Sequence, residues 1–211
     1  MNPAWWSSLS RLAEAPILAP FVLLCALLLA VLPRGRRMAA WWIGTFGFAV
    51  LVTLASKVAF LGWGIGSAAL DFTGVSGHAM CAAAVYPTLL AAVTRDRAAR
   101  WRALAIGAGV ALALLIGYSR IALGVHSASE VVAGLLLGGA GAALTLCFAS
   151  PMSPRLPALS LLVPCAALLA VPGPASAQAS HGTVVRLSLA LSGRAVPYTR
   201  AQLLRERRPP A

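Results

Sequence analysis

Acidic residues are scarce in this chain of 211 residues, which has 5 Asp and Glu against 17 Lys and Arg. Charged residues of both signs make up only 10% of it, whereas an ordinary soluble domain has about 25%. This shortage argues against a soluble globular protein, and the few carboxylates form no cluster of the kind that holds Mg²⁺. Hydrophobic residues amount to 60%, which places the chain in a lipid bilayer.

Paired cysteines are also missing. The four cysteines fall one each in four different apolar segments, and no two of them have the Cys-x-x-Cys spacing of redox or metal sites. We interpret them as packing residues, with neither a disulfide nor a metal-binding role. They are Cys25, Cys81, Cys147 and Cys165.

Six apolar runs approach the roughly 20 residues that a helix needs to cross a bilayer. They predict an all-α fold, a polytopic membrane bundle of about six transmembrane helices. Small residues four apart on the fifth run, such as Gly134 and Gly138, predict close helix packing there. The runs span residues 16–33, 39–55, 77–93, 103–117, 131–149 and 156–171.

The formal net charge of +12 comes largely from arginines in short clusters between these runs. We interpret the clusters as topology signals and expect no nucleic-acid partner. The clusters after the first, third and fifth runs share one face, which the positive-inside rule assigns to the cytoplasm. We therefore expect a multi-pass protein of a bacterial-type inner membrane, with segments 57–76 and 119–129 on the periplasmic face. The clustered residues are Arg34, Arg36, Arg37, Arg95, Arg97, Arg100, Arg102 and Arg155.

The composition changes after Pro172 to Gly, Pro, Ser, Ala and Arg. We predict a transmembrane domain at 1–171, with its motif core at 56–134, and a flexible polar tail at 172–211 with a weak amphipathic helix at 199–207. The arginines of the tail would lie outside, against the positive-inside rule, unless the sixth run does not span or charges so late carry little weight. Residues 175–177 also resemble a signal-peptidase site, so cleavage after Ala177 is an alternative to an ordinary last span.

Six ionisable residues remain outside the arginine loops and the termini, all at span ends or in loops on the predicted outer face. Ionisable groups near a membrane core are costly, so their clustering indicates a functional site. They are Lys57, Asp71, His78, Arg120, His126 and Glu130.

The ends of the second and third runs offer groups that bind anions. Lys57 is the only lysine of the chain, although ordinary snorkelling would also explain its place at a span end. Ser76 and Gly77 open the third run just before His78, where backbone N–H groups and a hydroxyl favour an anion. A routine helix cap is the alternative.

His126 and Glu130 lie four residues apart at the start of the fifth run, so they share one face of a helix. A carboxylate beside an imidazole fixes its tautomer and makes it a better nucleophile. A capped helix with a satisfied histidine is the alternative.

Together these stretches supply what phosphoryl transfer requires: cations, backbone donors, a nucleophile with its carboxylate, and an acid. With these residues the chain resembles the type 2 phosphatidic acid phosphatase (PAP2) superfamily. Its three motifs are a Lys-led motif, Pro-Ser-Gly-His, and Ser-Arg followed by His and Asp. The resemblance covers roughly residues 56–134. The matching residues are Lys57, Ser76, Gly77, His78, Ser119, Arg120, His126 and Glu130.

The resemblance implies a role for most of these residues. His126 would be the nucleophile, Glu130 its orienting carboxylate, and His78 the acid that protonates the leaving oxygen. Family members of this kind work without a metal, so no cofactor is expected. Lys57, Ser76, Gly77 and Arg120 would hold the phosphate. Ser119 and Asp71 are accessory candidates beside them, to which the resemblance gives no role.

The sequence departs from the family pattern in three places. The Arg-Pro pair expected seven residues after the lysine is replaced by Gly64 and Ile65, so one phosphate-binding cation is missing. Val75 stands where proline is usual, and Glu130 is one methylene longer than the usual aspartate. Asp71 matches no family role, and its candidate partners are Lys57 and Arg120.

The resemblance implies a phosphatase that acts at the outer leaflet on a lipid phosphate or pyrophosphate, through a phosphohistidine. Candidate substrates are undecaprenyl pyrophosphate, phosphatidylglycerol phosphate and phosphatidic acid. A lipid phosphotransferase would use the same site. A third hypothesis, favoured by the missing arginine, is a transporter or non-catalytic protein that binds a lipid headgroup. The oligomeric state is left open.

Overall fold

The structure is a computed structural model that describes residues 3–149, 153–162 and 173–205. These residues form helices joined by loops, with one isolated β-bridge between Ser67 and Phe72. The described part of the chain is thus all-α, as predicted. The helices are α1 (Pro3–Arg11), α2 (Ala15–Val31), α3 (Arg36–Trp63), α4 (Gly77–Val93), α5 (Ala99–Ala122), α6 (Ala128–Phe148), α7 (Gly173–Ser192) and α8 (Arg200–Arg205), with a short 3₁₀ helix at Ala158–Leu161.

Four helical segments are long and apolar enough to cross a bilayer, and α4 is a shorter apolar helix. Together they correspond to the first five predicted runs, and they indicate a membrane protein. Of the sixth run, only residues 156–162 are described, and these contain the 3₁₀ helix. Its remainder lies outside the described residues. The four long segments are Trp5–Val31, Arg36–Trp63, Ala99–Ala122 and Ala128–Phe148.

The centre of the bundle is α4, in which residues 79–89 are all buried. Its small side chains let the backbone of α6 approach closely. A Cβ placed on Gly138 would lie 2.2 Å from the Met80 carbonyl oxygen, and one on Gly134 would lie 2.5 Å from the Ser76 carbonyl oxygen. The close packing predicted for these two glycines is therefore confirmed.

The described cysteines are free. Cys25 and Cys81 are buried in the core, which confirms the packing role predicted for them. Cys147 is exposed on α6, so the prediction was wrong for that residue, whose side chain points outward because it lies off the face that meets α3 and α4. Cys165 lies outside the described residues.

Short connections join α2 to α3 and α4 to α5 at one end of the bundle, where the arginine clusters lie. Arg155, which follows α6, pairs with Asp96 at 2.8 Å and donates to the Val93 carbonyl at 2.8 Å. The three arginine-bearing connections therefore share one end, here called the arginine end. The loops at 64–76 and 123–127 lie at the opposite end.

The C-terminal part of the described chain packs on α3. A Cβ on Gly62 would lie 3.2 Å from the Ser188 carbonyl oxygen, and the amide of Tyr198 donates to the Leu61 carbonyl at 2.9 Å. The prediction of a flexible tail did not anticipate these contacts. They bring residues 197–205 to the end of the bundle opposite the arginine end, and α8 falls within the helix predicted at 199–207.

Candidate active site

The third motif forms a hydrogen-bonded pair at the start of α6. His126 Nδ1 lies 2.6 Å from Glu130 Oε2, with the histidine side chain 16% exposed and the glutamate fully buried. Ser127 caps the helix by accepting from the Glu130 amide at 3.3 Å, while the Ser127 amide donates to the Glu130 carboxylate at 3.1 Å. One carboxylate therefore both closes a capping box and orients the histidine.

Three further donors hold the Glu130 carboxylate. The amide and hydroxyl of Thr73 donate to Oε1 at 2.7 and 2.5 Å, and Nη2 of Arg200 donates to both oxygens at 2.7 and 2.8 Å. A buried charge is tolerated only when it is paired and hydrogen-bonded. Glu130 meets this condition, so it can remain ionised inside the bundle.

In the second motif, the hydroxyl of Ser76 makes no hydrogen bond to the described residues. Ser76 precedes α4 but makes no side-chain capping bond, and its buried hydroxyl has no partner among the described residues. Its amide donates to the Glu130 carbonyl at 3.0 Å, which ties the second motif to the third. The routine cap considered from the sequence is therefore absent, and the Ser76 side chain gives the first N–H groups of α4 no acceptor.

Lys57 reaches the same site from α3. Its Nζ lies 3.8 Å from where a Cβ on Gly77 would be. A Cβ on Gly74 would lie 3.1 Å from Cγ of Lys57, and Gly74 has φ of 140°, so glycine is required for the loop to pass the lysine. The Val75 amide, next to this glycine, donates to the Ser56 hydroxyl at 3.0 Å, which fixes the loop over α3.

Electrostatic interactions link the remaining motif residues. His78 interacts with Lys57, Arg120 and His126, and Lys57 also interacts with Arg120 and Glu130. The structure thus brings the predicted catalytic and phosphate-binding residues of all three motifs to the end opposite the arginine end. We call this group the motif site; it comprises Lys57, Ser76, Gly77, His78, Arg120, His126 and Glu130.

Burial lowers the pKa of His126 from its ordinary value; the Glu130 hydrogen bond opposes this shift, and the charges of Lys57 and Arg120 reinforce it. The imidazole is therefore neutral near pH 7. Because an ionised carboxylate only accepts, Nδ1 carries the proton that is shared with Glu130. The lone pair of Nε2 is then not used by Glu130 and remains available as a hydrogen-bond acceptor, base or nucleophile.

Arg120 is also tied to the N-terminal helix. Its Nη1 donates to the Ser10 hydroxyl, and the Trp6 and Tyr118 rings pack edge to face with centroids 5.4 Å apart. The helix α1 therefore fixes the end of α5.

Ser119, predicted as an accessory residue, is fully buried and donates to the Ile116 carbonyl of its own helix at 2.6 Å, so its hydroxyl is used within α5.

Asp71 pairs with Arg200 at 2.8 Å, and not with Lys57 or Arg120 as expected. The expectation was wrong because Arg200 comes from a distant part of the chain, beyond the reach of local patterns. Sequence reasoning also missed Thr73, a neutral residue with no motif signal apart from its position just before the second motif.

We compared the sequence with protein-family models, curated proteins and solved structures. The family model described as PAP2 superfamily matches residues 62–152, which include the second and third motifs but not Lys57. A curated relative from Klebsiella pneumoniae, named as an uncharacterized 22.5 kDa protein in the cps region, is 39% identical over 141 residues. The alignment covers 67% of this chain and 68% of that relative, and no solved structure matches. The chain belongs to the PAP2 superfamily, which indicates a membrane enzyme of the phosphatase type.

Proposed function

We propose that the protein hydrolyses a lipid-linked phosphate or pyrophosphate monoester at the outer leaflet, through a phosphohistidine formed on His126. The observation that carries this proposal is the His126–Glu130 pair at 2.6 Å, next to a buried Ser76 hydroxyl without a partner among the described residues. A phosphate oxygen would satisfy that hydroxyl.

The reaction has two steps. Nε2 of His126 attacks phosphorus, the bond from phosphorus to the leaving oxygen breaks, and His78 gives its proton to that oxygen. Water then attacks the phosphohistidine, His78 takes a proton from the water, and the bond between phosphorus and nitrogen breaks. Lys57, Arg120 and the start of α4 hold the equatorial oxygens, on which charge accumulates.

The surroundings of the motif site favour a substrate with a lipid tail. Large apolar side chains are exposed at this end of the bundle, among them Trp63 at 51%, Leu70 at 63% and Val125 at 48%. A headgroup bound in the motif site would leave its tail against these side chains. A rim of this kind supports a lipid phosphate over a soluble phosphate ester.

The position of the arginine clusters is the basis for proposing that the motif site acts at the outer leaflet. The arginine clusters lie at the end of the bundle opposite the motif site, and the positive-inside rule assigns such clusters to the cytoplasm. In a bacterial-type inner membrane, the motif site would then open to the periplasm.

Purified protein tested against a panel of phosphates checks the proposal. We expect phosphate release from phosphatidic acid, phosphatidylglycerol phosphate or undecaprenyl pyrophosphate, and far less from p-nitrophenyl phosphate. His126→Ala should reduce release by about 10³-fold or more, since it removes the nucleophile. The matched control is His181→Ala, because His181 is exposed on α7; this variant should keep full activity.

A trapped intermediate tests the chemistry. Substrate labelled with ³²P should leave an acid-labile, alkali-stable phosphoprotein in the wild type and none in His126→Ala. Turnover by His126→Ala at the wild-type rate would remove the assignment. Transfer of the label to an added alcohol in preference to water would instead identify a phosphotransferase.

A further inference from the structure

The guanidinium of Arg200 lies against the carboxylate of the histidine pair. Nη2 donates to both oxygens of Glu130, at 2.7 and 2.8 Å, and also to the Thr73 hydroxyl at 3.3 Å. Nη1 donates to Asp71 at 2.8 Å. A charge from the C-terminal segment therefore lies on the far side of the carboxylate that holds His126.

The segment that carries Arg200 is seated on the end of α3. Gly64 ends this helix with φ of 71°, and a Cβ there would lie 3.0 Å from the ring of Tyr198. The Tyr198 amide donates to the Leu61 carbonyl at 2.9 Å, and the Arg194 guanidinium lies 4.1 Å from the centre of the Tyr198 ring. Gly64 is the position at which the family motif has its arginine, so the space beside it is taken by the segment that delivers Arg200.

We propose that Arg200 is a positioning residue that holds the Glu130 carboxylate for His126 and offsets its charge. The contacts assign it to the carboxylate and not to the phosphate, because Nε2 of His126, where phosphorus binds, lies across the imidazole ring from Glu130. This inference rests on the proposed function, since it concerns the nucleophile of that reaction.

The charges around His126 give the direction of the expected effect. Lys57 from α3, His78 from α4 and Arg120 from α5 face it, Glu130 lies on α6, and Asp71 in the preceding loop pairs with Arg200. Without Arg200, the negative charge of Glu130 is less well balanced. The imidazolium is then favoured, the pKa of His126 rises, and less neutral nucleophile is present at a given pH.

The test compares Arg200→Gln with Arg200→Lys and with Arg205→Gln. Arg205 is the matched control, because it is an exposed arginine of the same segment. Arg200→Gln should lower kcat about 10- to 100-fold, the range expected for a lost charge-assisted hydrogen bond, with little change in KM. Its acid limb of kcat/KM should move to higher pH. Arg200→Lys should recover part of kcat, and Arg205→Gln should match the wild type.

The loss should also depend on Glu130. In a Glu130→Gln background, the further substitution Arg200→Gln should change kcat much less than it does in the wild type, because the group through which it acts is gone. Equal losses in both backgrounds would contradict a role through Glu130. A raised KM with an unmoved acid limb would show phosphate binding and would also overturn the proposal.

A measurement without substrate separates this inference from the proposed function. ¹⁵N-histidine NMR of the purified protein, with His126 assigned by His126→Ala, reports the pKa of His126 directly. A higher pKa in Arg200→Gln supports the pairing even if the wild type releases no phosphate, in which case only the proposed function fails. An unchanged pKa in an active, folded Arg200→Gln protein refutes the inference and leaves the proposed function intact.

Discussion

A serine immediately precedes each of the helices α4 and α6, and the two serines are used in opposite ways. Ser127 accepts from the Glu130 amide and completes a capping box at the start of α6. Ser76 makes no capping bond, and its buried hydroxyl has no partner among the described residues. The start of α6 is therefore capped by side chains of the protein itself, whereas the start of α4 has no side-chain cap.

This difference between the two serines corresponds to two tasks of the site, which are to orient His126 and to bind an anion. The closed start of α6 holds Glu130 rigidly, which keeps His126 in one tautomer and one orientation. The open start of α4 keeps hydrogen-bond donors for a group that the chain does not supply. Because the first N–H groups of a helix need acceptors, an anion is the natural occupant of that end.

Of the changes that test this contrast, disrupting the closed start of α6 should have the largest effect on activity. Glu130→Gln removes the charge that orients and stabilises His126 during attack, and we expect kcat to fall about 10³-fold. Asp96→Asn is the matched control, because Asp96 is an exposed carboxylate at the arginine end. It should leave kcat unchanged. A Glu130→Gln enzyme within tenfold of the wild type would show that the pair is structural.

The two serines should then respond differently to the same change. Ser76→Ala should raise the KM for the lipid phosphate about tenfold, with little loss of thermal stability, because it removes a hydroxyl that is unpaired in the free protein. Ser127→Ala should instead lower stability by about 1 kcal/mol through loss of a cap. Thermal unfolding in detergent and steady-state kinetics measure both quantities. An equal loss of stability in both variants would contradict the contrast.

The smallest expected effect is a displacement of the pH profile. Because burial lowers the pKa of His126, the acid limb of kcat/KM should lie below the ordinary histidine value of about 6.5. Activity should be retained above that limb and lost as the pH falls through it, when the nucleophile becomes protonated. Glu130→Gln should move the limb lower still, since the carboxylate favours the imidazolium. A limb at higher pH in that variant would be inconsistent with the pairing.

Local sequence patterns predicted most of the motif site. His126 and Glu130 lie one helical turn apart, so their contact follows from helix geometry alone. Apolar runs predicted the helices, because a bilayer requires long apolar segments whose backbone bonds are satisfied internally. The arginine end could also be predicted, because successive membrane-spanning helices run in opposite directions. Every second connection between them therefore lies on the same side of the membrane.

Long-range contacts could not be predicted in this way. Thr73 and Arg200 carry no motif, and 70 residues separate Arg200 from Glu130. The partner of Asp71 was predicted wrongly for the same reason. Nothing in the local sequence indicates that residues 197–200 return to the end of α3, because that depends on how the described helices pack as a whole.

The amino-acid sequence by itself determined that this chain is a helical membrane protein that carries motif residues of the PAP2 superfamily, since both properties reside in local composition and spacing. Only the tertiary structure decided that the Ser76 hydroxyl has no partner among the described residues and that Arg200 pairs with both Asp71 and Glu130. Those outcomes depend on which backbones approach closely, and the glycine contacts of α3, α4 and α6 set that approach in three dimensions.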